Sequence, residues 1–188
     1  MDAFAHETNV DINNRMVVYD IMDLGEALKT MGLLVITDAM LNRVTENWKK
    51  GKRTHIILDE FHVVFENEHS GNFFNSAWRR FRKRNAYPNA ITQNVEYLLD
   101  SVLASTMLSN SEYIVMLNQA PRDREKLANL LNISKEQMSY ITDTEAGCGL
   151  IKYGSSLVPF VNRFPKNTKL YKLMTTKPGE DSANRNRE

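Results

Sequence analysis

Two adjacent carboxylates follow a short apolar run in this chain. The run begins at Thr54 and reads Thr-His-Ile-Ile-Leu, and Asp59 and Glu60 come directly after it. If the run is a buried strand of a parallel sheet, both carboxylates lie at the carboxyl edge, where open α/β sheets bind ligands. A carboxylate there can hold Mg²⁺, directly or through water, and a second one can polarise a water molecule for attack on a phosphate. The pair therefore predicts metal-assisted phosphoryl transfer.

This pattern is typical of the Walker B motif of P-loop ATPases, and also of a core strand that simply ends in a solvated turn. A complete site of that kind needs a Walker A loop, Gly-x-x-x-x-Gly-Lys-Ser/Thr, whose amides and lysine bind phosphates. Gly51-Lys52 is similar to the end of such a loop, but Glu46 stands where the first glycine is required, and the preceding segment is predicted to be helical. The 188 residues contain no Walker A motif, and Gly51 is expected to end a helix.

Gln93 closes the next short apolar stretch, residues 90–93, which we predict to be a strand. If that strand is parallel to the first, its last residue lies at the same sheet edge as Asp59 and Glu60. An amide there can hydrogen-bond a γ-phosphate or the attacking water. A glutamine in an ordinary strand-to-helix turn is the structural alternative.

The one dense basic segment falls in a predicted helix over residues 73–85. Its apolar face carries phenylalanines and Trp78, and its other side carries Arg79, Arg80, Arg82, Lys83 and Arg84. A solvated helix face accounts for such a run. The functional alternatives are contact with a phosphate, an arginine finger that reaches a neighbouring subunit, or contact with a DNA backbone.

Composition is that of an ordinary soluble globular protein, with 42% hydrophobic and 25% charged residues. The formal net charge of +1 means that any basic surface must be local. Cys148 is the single cysteine, so no internal disulfide can form and a reducing compartment fits. The first residues do not form a signal peptide, and no apolar run is long enough to span a bilayer.

Strands alternate with helices along the rest of the chain, which predicts an α/β domain with a largely parallel sheet flanked by helices. Two strands near the end, separated by a tight turn, predict an antiparallel hairpin at one edge of the sheet. Residues 1–174 are expected to form this domain and 175–188 a disordered tail. The remaining predicted elements are strands at 15–19, 112–117, 147–154, 157–161 and 169–174, and helices at 24–50, 95–108, 123–131 and 135–140.

Several segments together resemble one family, the C-terminal ATPase region of conjugative transfer (type IV secretion) ATPases of the type found in Gram-positive conjugative elements. These are RecA-like P-loop NTPases of the HerA/FtsK group. Each motif is short, and it is their order and spacing that make the match. The likeness runs from about Phe4 to Lys177, and it is carried by residues 9–11, 15–20, 54–61, 78–83, 91–95, 106–119 and 149–164.

The resemblance implies roles for named residues. Asp59 matches the Walker B aspartate that supports Mg²⁺, Glu60 the glutamate that activates the attacking water, and Gln93 the glutamine that senses the γ-phosphate. The family also carries a basic motif between them, which corresponds here to 79–83. Arg82 is the first choice for an arginine finger and Arg124 the second. Arg79, Lys83 and Arg124 are candidates for contact with the nucleotide.

For the whole protein the resemblance implies an ATP- and Mg²⁺-dependent motor, hexameric in the family. It would be cytoplasmic, at the inner face of the cell membrane with other secretion components, and DNA contact stays open. The departure is the missing Walker A loop, so we expect a partial RecA-like domain, a truncated reading frame or fragment that is inactive alone. The alternative function is a catalytically silent module that docks on the transfer machinery.

Overall fold

The computed structural model describes residues 13–21, 23–66, 68–93 and 95–175. The chain divides into two compact units, residues 1–92 and 93–188. The predicted tail at 175–188 lies outside the described residues except for Thr175.

The first unit packs two long helices against a pair of parallel strands. The strands are β1 (Thr54–Leu58) and β2 (Ala86–Ala90), joined in parallel from Thr54↔Ala86 to Leu58↔Ala90. One cluster of its core joins both helices and both strands through Val44, Ile56, Ala77, Phe81 and Ala86. Phe61 and Val64 of the 3₁₀ helix are buried as well. In chain order its elements are α1 (Glu26–Lys49), β1 (Thr54–Leu58), a 3₁₀ helix (Phe61–Phe65), α2 (Glu68–Lys83) and β2 (Ala86–Ala90).

Gly51 ends the first helix, as predicted. Its φ of +67° is a left-handed conformation that glycine adopts without a steric penalty. The Gly51 amide donates to the carbonyl of Trp48 at 3.0 Å, and the Lys52 amide donates to that of Asn47 at 2.8 Å. These bonds satisfy carbonyls of the last helical turn and lead the chain directly into β1.

Strand β2 lies earlier than predicted, at 86–90 rather than 90–93, because Pro88 does not end it. Proline cannot donate to a ladder, and it is tolerated in strands mainly at edges. The side chain of Asn89 donates to the Ile56 carbonyl of β1 at 3.3 Å. A side-chain amide thus adds a link between the strands beside the residue that lacks an N–H.

The second unit places helices on one face of an antiparallel sheet. The predicted hairpin is confirmed as β4 (Cys148–Tyr153) and β5 (Ser156–Val161). It pairs with β3 (Tyr113–Met116) in an antiparallel sheet of its own, and not with the parallel pair as expected. Met116, Leu127, Ile141 and Leu150 belong to its core. Its elements are α3 (Val95–Asp100), α4 (Val102–Ser109), β3 (Tyr113–Met116), α5 (Pro121–Leu131), α6 (Lys135–Met138), a 3₁₀ helix (Ser139–Ile141), β4 (Cys148–Tyr153), β5 (Ser156–Val161) and α7 (Lys169–Met174).

Two predicted strands are wrong. Residues 15–19 form no strand, and Met16 and Val18 are 80% and 82% exposed, so most of their apolar surface is not buried. Lys169–Met174 is a helix, because the Thr168 hydroxyl accepts the Tyr171 amide at 3.2 Å and caps its first turn.

The α/β class is confirmed, with a parallel strand pair and a C-terminal antiparallel hairpin. None of the helices in the described ranges is both long and apolar enough to cross a membrane.

Candidate functional site

The two parallel strands of the first unit end side by side. Leu58 pairs with Ala90 at the last position of the ladder. Beyond it, the Ile91 amide donates to the Leu58 carbonyl at 2.8 Å, and the Phe61 amide donates back to the Ile91 carbonyl at 2.9 Å. Asp59 and Glu60 therefore form a turn at the carboxyl end of β1 that is tied on both sides to the segment leaving β2.

The turn itself has an uncommon backbone. Glu60 lies in the left-handed region, with φ of 46° and ψ of 48°. The Glu60 amide donates to the Asp59 carboxylate at 3.0 Å. The Asp59 side chain is exposed, and the Glu60 side chain is 43% exposed. Both carboxylates can therefore be reached from solvent at the sheet edge.

Phe61 anchors this turn in the core. It is 4% exposed, and its ring lies 5.1 Å from Phe65, 5.4 Å from Trp78 and 6.4 Å from Phe74, measured between centroids. Because burial of an aromatic side chain is worth a few kcal/mol, about 1.5–3 by area, this anchor holds the backbone of the preceding carboxylates in place.

His62 is a member of the site that sequence reasoning missed. Its Nδ1 atom lies 3.3 Å from the Glu60 carboxylate and 3.3 Å from the Thr92 hydroxyl, and its side chain is 18% exposed. The signal in the sequence was a histidine two residues after Glu60. Only the left-handed turn and the 3₁₀ helix bring its ring back to the carboxylate.

The basic residues of α2 lie opposite its core face. Phe74, Ala77 and Phe81 are buried, whereas Arg79, Arg80, Arg82 and Lys83 are exposed. Within the described stretches, Arg79, Arg82 and Lys83 make no ion pair. Arg84 differs from them, since its guanidinium donates to the Thr45 hydroxyl of α1. Arg79, Arg82 and Lys83 are therefore available to an anion from outside the unit.

Gln93 and Arg124 belong to the second unit. Gln93 is its first residue, directly after Thr92, and Arg124 is partly buried near the start of α5. The neighbours of Arg124 on α5 are paired with α3. Lys126 lies 2.6 Å from the Asp100 carboxylate, and this hydrogen bond raises the pKa of the lysine. Of the predicted site residues, the first unit therefore contains Asp59 and Glu60, which are adjacent, and the cations of α2. The second unit contains Gln93 and Arg124.

Asp59 is the residue here that could supply a ligand to a magnesium ion. Over the residues that the structure describes, no group of three or more His, Cys, Asp or Glu side chains could hold a metal ion. Mg²⁺ usually keeps several waters and takes one or two carboxylates together with substrate phosphates. Asp59 is exposed and uses one carboxylate oxygen for the Glu60 amide, so it can offer the other.

Comparison with known proteins gives one family and one fold. The family model described as the TraG P-loop domain matches residues 4–148. The solved structure of VirB4 of Thermoanaerobacter pseudethanolicus is similar to this chain with a TM-score of 0.68 at 21% identity. The match covers 79% of this chain and 40% of that one, so the chain spans less than half of the VirB4 structure. No curated protein matches. The likeness confirms the expected fold class.

Proposed function

Because this chain belongs to the family of TraG P-loop domains, we propose that it is the Walker B part of an ATP-hydrolysing motor for conjugative transfer through a type IV secretion system. The family is the one that the sequence resembled. One observation carries the proposal: two parallel strands end side by side, and the first delivers Asp59 and Glu60 to the shared edge. In an open α/β sheet this edge is where ligands bind.

Each carboxylate has its own task in this proposal. Asp59 holds Mg²⁺, directly or through water, and the ion when bound neutralises charge on the nucleotide phosphates. Glu60 accepts a proton from the attacking water. Gln93 follows β2 and hydrogen-bonds the γ-phosphate or that water through its amide.

The exposed cations of α2 are proposed to act on the nucleotide of a neighbouring copy. Arg82 is the proposed arginine finger, and Arg79 and Lys83 contact phosphates. Their exposure, and their lack of ion pairs in the described part of the chain, support contact with an anion outside the unit. Arg124 is a further candidate in the second unit. The proposal includes a homo-oligomer, hexameric as in the family, with other secretion components at the inner face of the membrane.

The 188-residue chain alone is proposed to turn over no ATP. Positioning and charge stabilisation are nearly all of phosphoryl-transfer catalysis, and these residues contain no Walker A loop to supply them. The test is steady-state ATP hydrolysis by the purified chain with Mg²⁺, with Glu60→Gln as the comparison. We expect the unmodified chain and Glu60→Gln to show the same background rate of ATP hydrolysis. Turnover that Glu60→Gln abolishes would contradict this proposal.

The metal site can be tested without turnover. Mn²⁺ replaces Mg²⁺ in an ATP complex, and its unpaired electrons broaden the NMR signals of nearby nuclei. We expect broadening at Asp59 and its neighbours that Asp59→Asn removes. Glu66→Gln neutralises an exposed carboxylate beyond the 3₁₀ helix and should change nothing. Broadening that survives Asp59→Asn would place the ion elsewhere.

The role of Glu60 as base needs a chain that has a Walker A loop. In a polypeptide that joins the Walker A region of a TraG-family ATPase to these 188 residues, Glu60→Gln should lower kcat about 10²–10⁴-fold, the usual contribution of a general base. Retained turnover in that variant would contradict the role. If the joined polypeptide itself stays inactive, the silent docking module becomes the better function.

DNA contact is the remaining option for the α2 cations. A protein that neutralises phosphates releases counterions, so its affinity for DNA falls steeply with salt. Binding of a DNA duplex that weakens with salt and with Arg82→Ala would support this contact. The absence of binding at low salt would leave the nucleotide as the proposed partner.

A further inference from the structure

Three side chains of the first unit meet at one imidazole nitrogen. His62 Nδ1 lies 3.3 Å from Glu60 Oε2 and 3.3 Å from Thr92 Oγ1. Glu60 belongs to the turn after β1, and Thr92 to the segment after β2. The imidazole is therefore a side-chain link between the two strand ends, in addition to the backbone bonds through Ile91.

The chemistry of the three groups assigns the proton. An ionised carboxylate can only accept hydrogen bonds, so a bare Nδ1 lone pair facing it would be repelled. We therefore expect Nδ1 to carry the hydrogen and to donate it to the Glu60 carboxylate, with the Thr92 hydroxyl oxygen 3.3 Å away as a second acceptor for that hydrogen. Such an arrangement fixes one tautomer of the neutral ring.

The surroundings leave the imidazole little freedom to leave this position. Its side chain is 18% exposed, and it sits on a 3₁₀ helix whose first residue, Phe61, is buried among aromatic rings. Both contacts, at 3.3 Å, are longer than the usual N–H···O distance of about 2.9–3.0 Å. Catalytic hydrogen bonds are often long before substrate binds and tighten in the complex.

We propose that His62 is a positioning residue that orients the Glu60 carboxylate and couples it to the segment that carries Gln93. The naming of Glu60 as the base rests on the proposed function, whereas the coupling itself does not. Because Thr92 directly precedes Gln93, a change in the Gln93 segment on nucleotide binding would reach the Glu60 carboxylate through one side chain.

The first test reads the tautomer of His62 in the 188-residue chain. Ring ¹⁵N–¹H correlations at alkaline pH, where imidazole is neutral, separate a protonated Nδ1 from a bare one. We expect the Nδ1–H form in the unmodified chain. Glu60→Gln replaces a charged acceptor by a neutral amide and should lower the ratio of Nδ1–H to Nε2–H about tenfold. Glu66→Gln, the matched control, should leave the ratio unchanged.

The second test measures whether a change at Glu60 reaches Thr92 through His62. Glu60→Gln should shift the Thr92 methyl resonance in the unmodified chain, but not in a His62→Phe background, which keeps a ring and removes the donor. His62→Asn supplies an amide donor of similar reach and should restore part of the shift. Thermal unfolding of each variant shows whether the fold is retained.

The outcomes separate this proposal from the proposed function. An Nε2–H ring in the unmodified chain, or a Thr92 shift that persists in His62→Phe, would overturn the coupling even if Asp59 binds the metal. An Nδ1–H ring whose ratio responds to Glu60→Gln would support it even if the chain never binds a nucleotide. In that second case only the catalytic meaning of the link would be lost.

Discussion

At the scale of single residues, Glu60 stands in a backbone conformation that costs a glutamate energy. Left-handed φ and ψ place Cβ close to the following carbonyl, at about 1–2 kcal/mol for a residue other than glycine. Glycine would fit the φ of 46° without strain. Backbone strain of this kind is commonly found at functional sites, and here it falls on the proposed base.

Glycine usually lowers the stability of a protein, but the strain at Glu60 predicts that glycine will not do so at this position. Glu60→Gly should leave the free energy of unfolding unchanged or raise it by up to about 1 kcal/mol, because relief of strain offsets the greater freedom of the unfolded chain. Glu66→Gly is the matched control at φ of −64°, and it should lower stability by about 0.5–1 kcal/mol. Urea unfolding measures both. A loss at Glu60→Gly as large as that at Glu66→Gly would show that the turn stores no strain.

The sequence predicted the carboxylates but not their partner. An apolar run followed by Asp59 and Glu60 is a local pattern, and the register of β1 with β2 bears out its place at a sheet edge. The approach of His62 depends on the sign of one φ angle at Glu60. Hydrophobic periodicity carries no information on that sign, because a left-handed glutamate is an exception to the usual preference.

At the scale of elements, α2 separates a core face from a basic face. Phe81 is fully buried in the core of the first unit, and its neighbour Arg82 is exposed. This arrangement is the ordinary amphipathic pattern of a surface helix. It means that the basic face can be changed without disturbing the fold, so functional tests on it are interpretable.

The two faces of α2 should therefore respond very differently to alanine. Phe81→Ala should lower the free energy of unfolding by about 3–5 kcal/mol, because it removes buried apolar surface and leaves a cavity. Arg82→Ala should change it by no more than about 0.5 kcal/mol. Chemical denaturation of both variants measures the difference. A large loss in Arg82→Ala would mean that the guanidinium is structural, and would remove it as a candidate arginine finger.

Helix α6 carries a capping box with a titrating neighbour. The Ser134 hydroxyl accepts the Gln137 amide at 3.3 Å, and the Gln137 side chain accepts the Ser134 amide at 3.0 Å. The backbone amide of Glu136 and then the Ser134 hydroxyl donate to the Glu136 carboxylate and lower its pKa from 4.5. Ser134→Ala should cost about 0.5–2 kcal/mol, the usual range for loss of an N-cap.

The lowered pKa of Glu136 predicts a definite pH dependence. Because its carboxylate is favoured in the folded state, its contribution is present above the ordinary value of 4.5 and is lost as pH falls through the lower folded value. Glu136→Gln should therefore be less stable than the unmodified chain at neutral pH and equal to it at strongly acidic pH. Urea unfolding at both conditions decides this. A difference that does not depend on pH would exclude the ionised carboxylate as its cause.

Elements were predicted well where their termini carry a local signal. Gly51 was expected to end a helix, and it follows the last turn of α1 in the left-handed conformation. Ser101 and Ser134 cap α4 and α6 in the same local way. The error at 169–174 came from giving an apolar pattern more weight than a helix cap. The Thr168 hydroxyl caps the first turn of the helix at 169–174, so this cap, and not the hydrophobic residues after it, indicates the secondary structure of the segment.

At the scale of the whole molecule, the antiparallel sheet of the second unit has an unusual outer face. The register places these residues together: Tyr113, Val115, Ile151, Tyr153, Ser156, Val158 and Phe160. None of these seven is charged, and Tyr113, Tyr153 and Val158 are 58%, 61% and 53% exposed. The inner face instead packs Ile114 and Leu157 on the core. The sequence predicted the hairpin but not this face, because the pairing of β3 with β4 is a long-range contact.

An uncharged outer face on an antiparallel sheet is a liability in water. Such sheets usually carry polar side chains on the solvated face, and exposed apolar patches favour association. We therefore expect the 188-residue chain to self-associate as its concentration rises. Val115→Lys puts a charge at the centre of the face and should lower the average mass measured by light scattering toward that of a monomer. Its effect on stability should stay within about 1 kcal/mol.

Ser155→Lys is the matched control, because it adds the same charge to the exposed turn between β4 and β5 and outside the face. Net charge alone improves solubility, so the comparison separates a general effect of charge from disruption of one surface. If both lysine variants lower the average mass equally, the added net charge is the cause, and the uncharged face is not the surface through which the chain associates. If the unmodified chain stays monomeric at every concentration, the outer face does not associate. If only Val115→Lys restores the monomer, association runs through the uncharged face, and assays of nucleotide and DNA binding are then best made in that background.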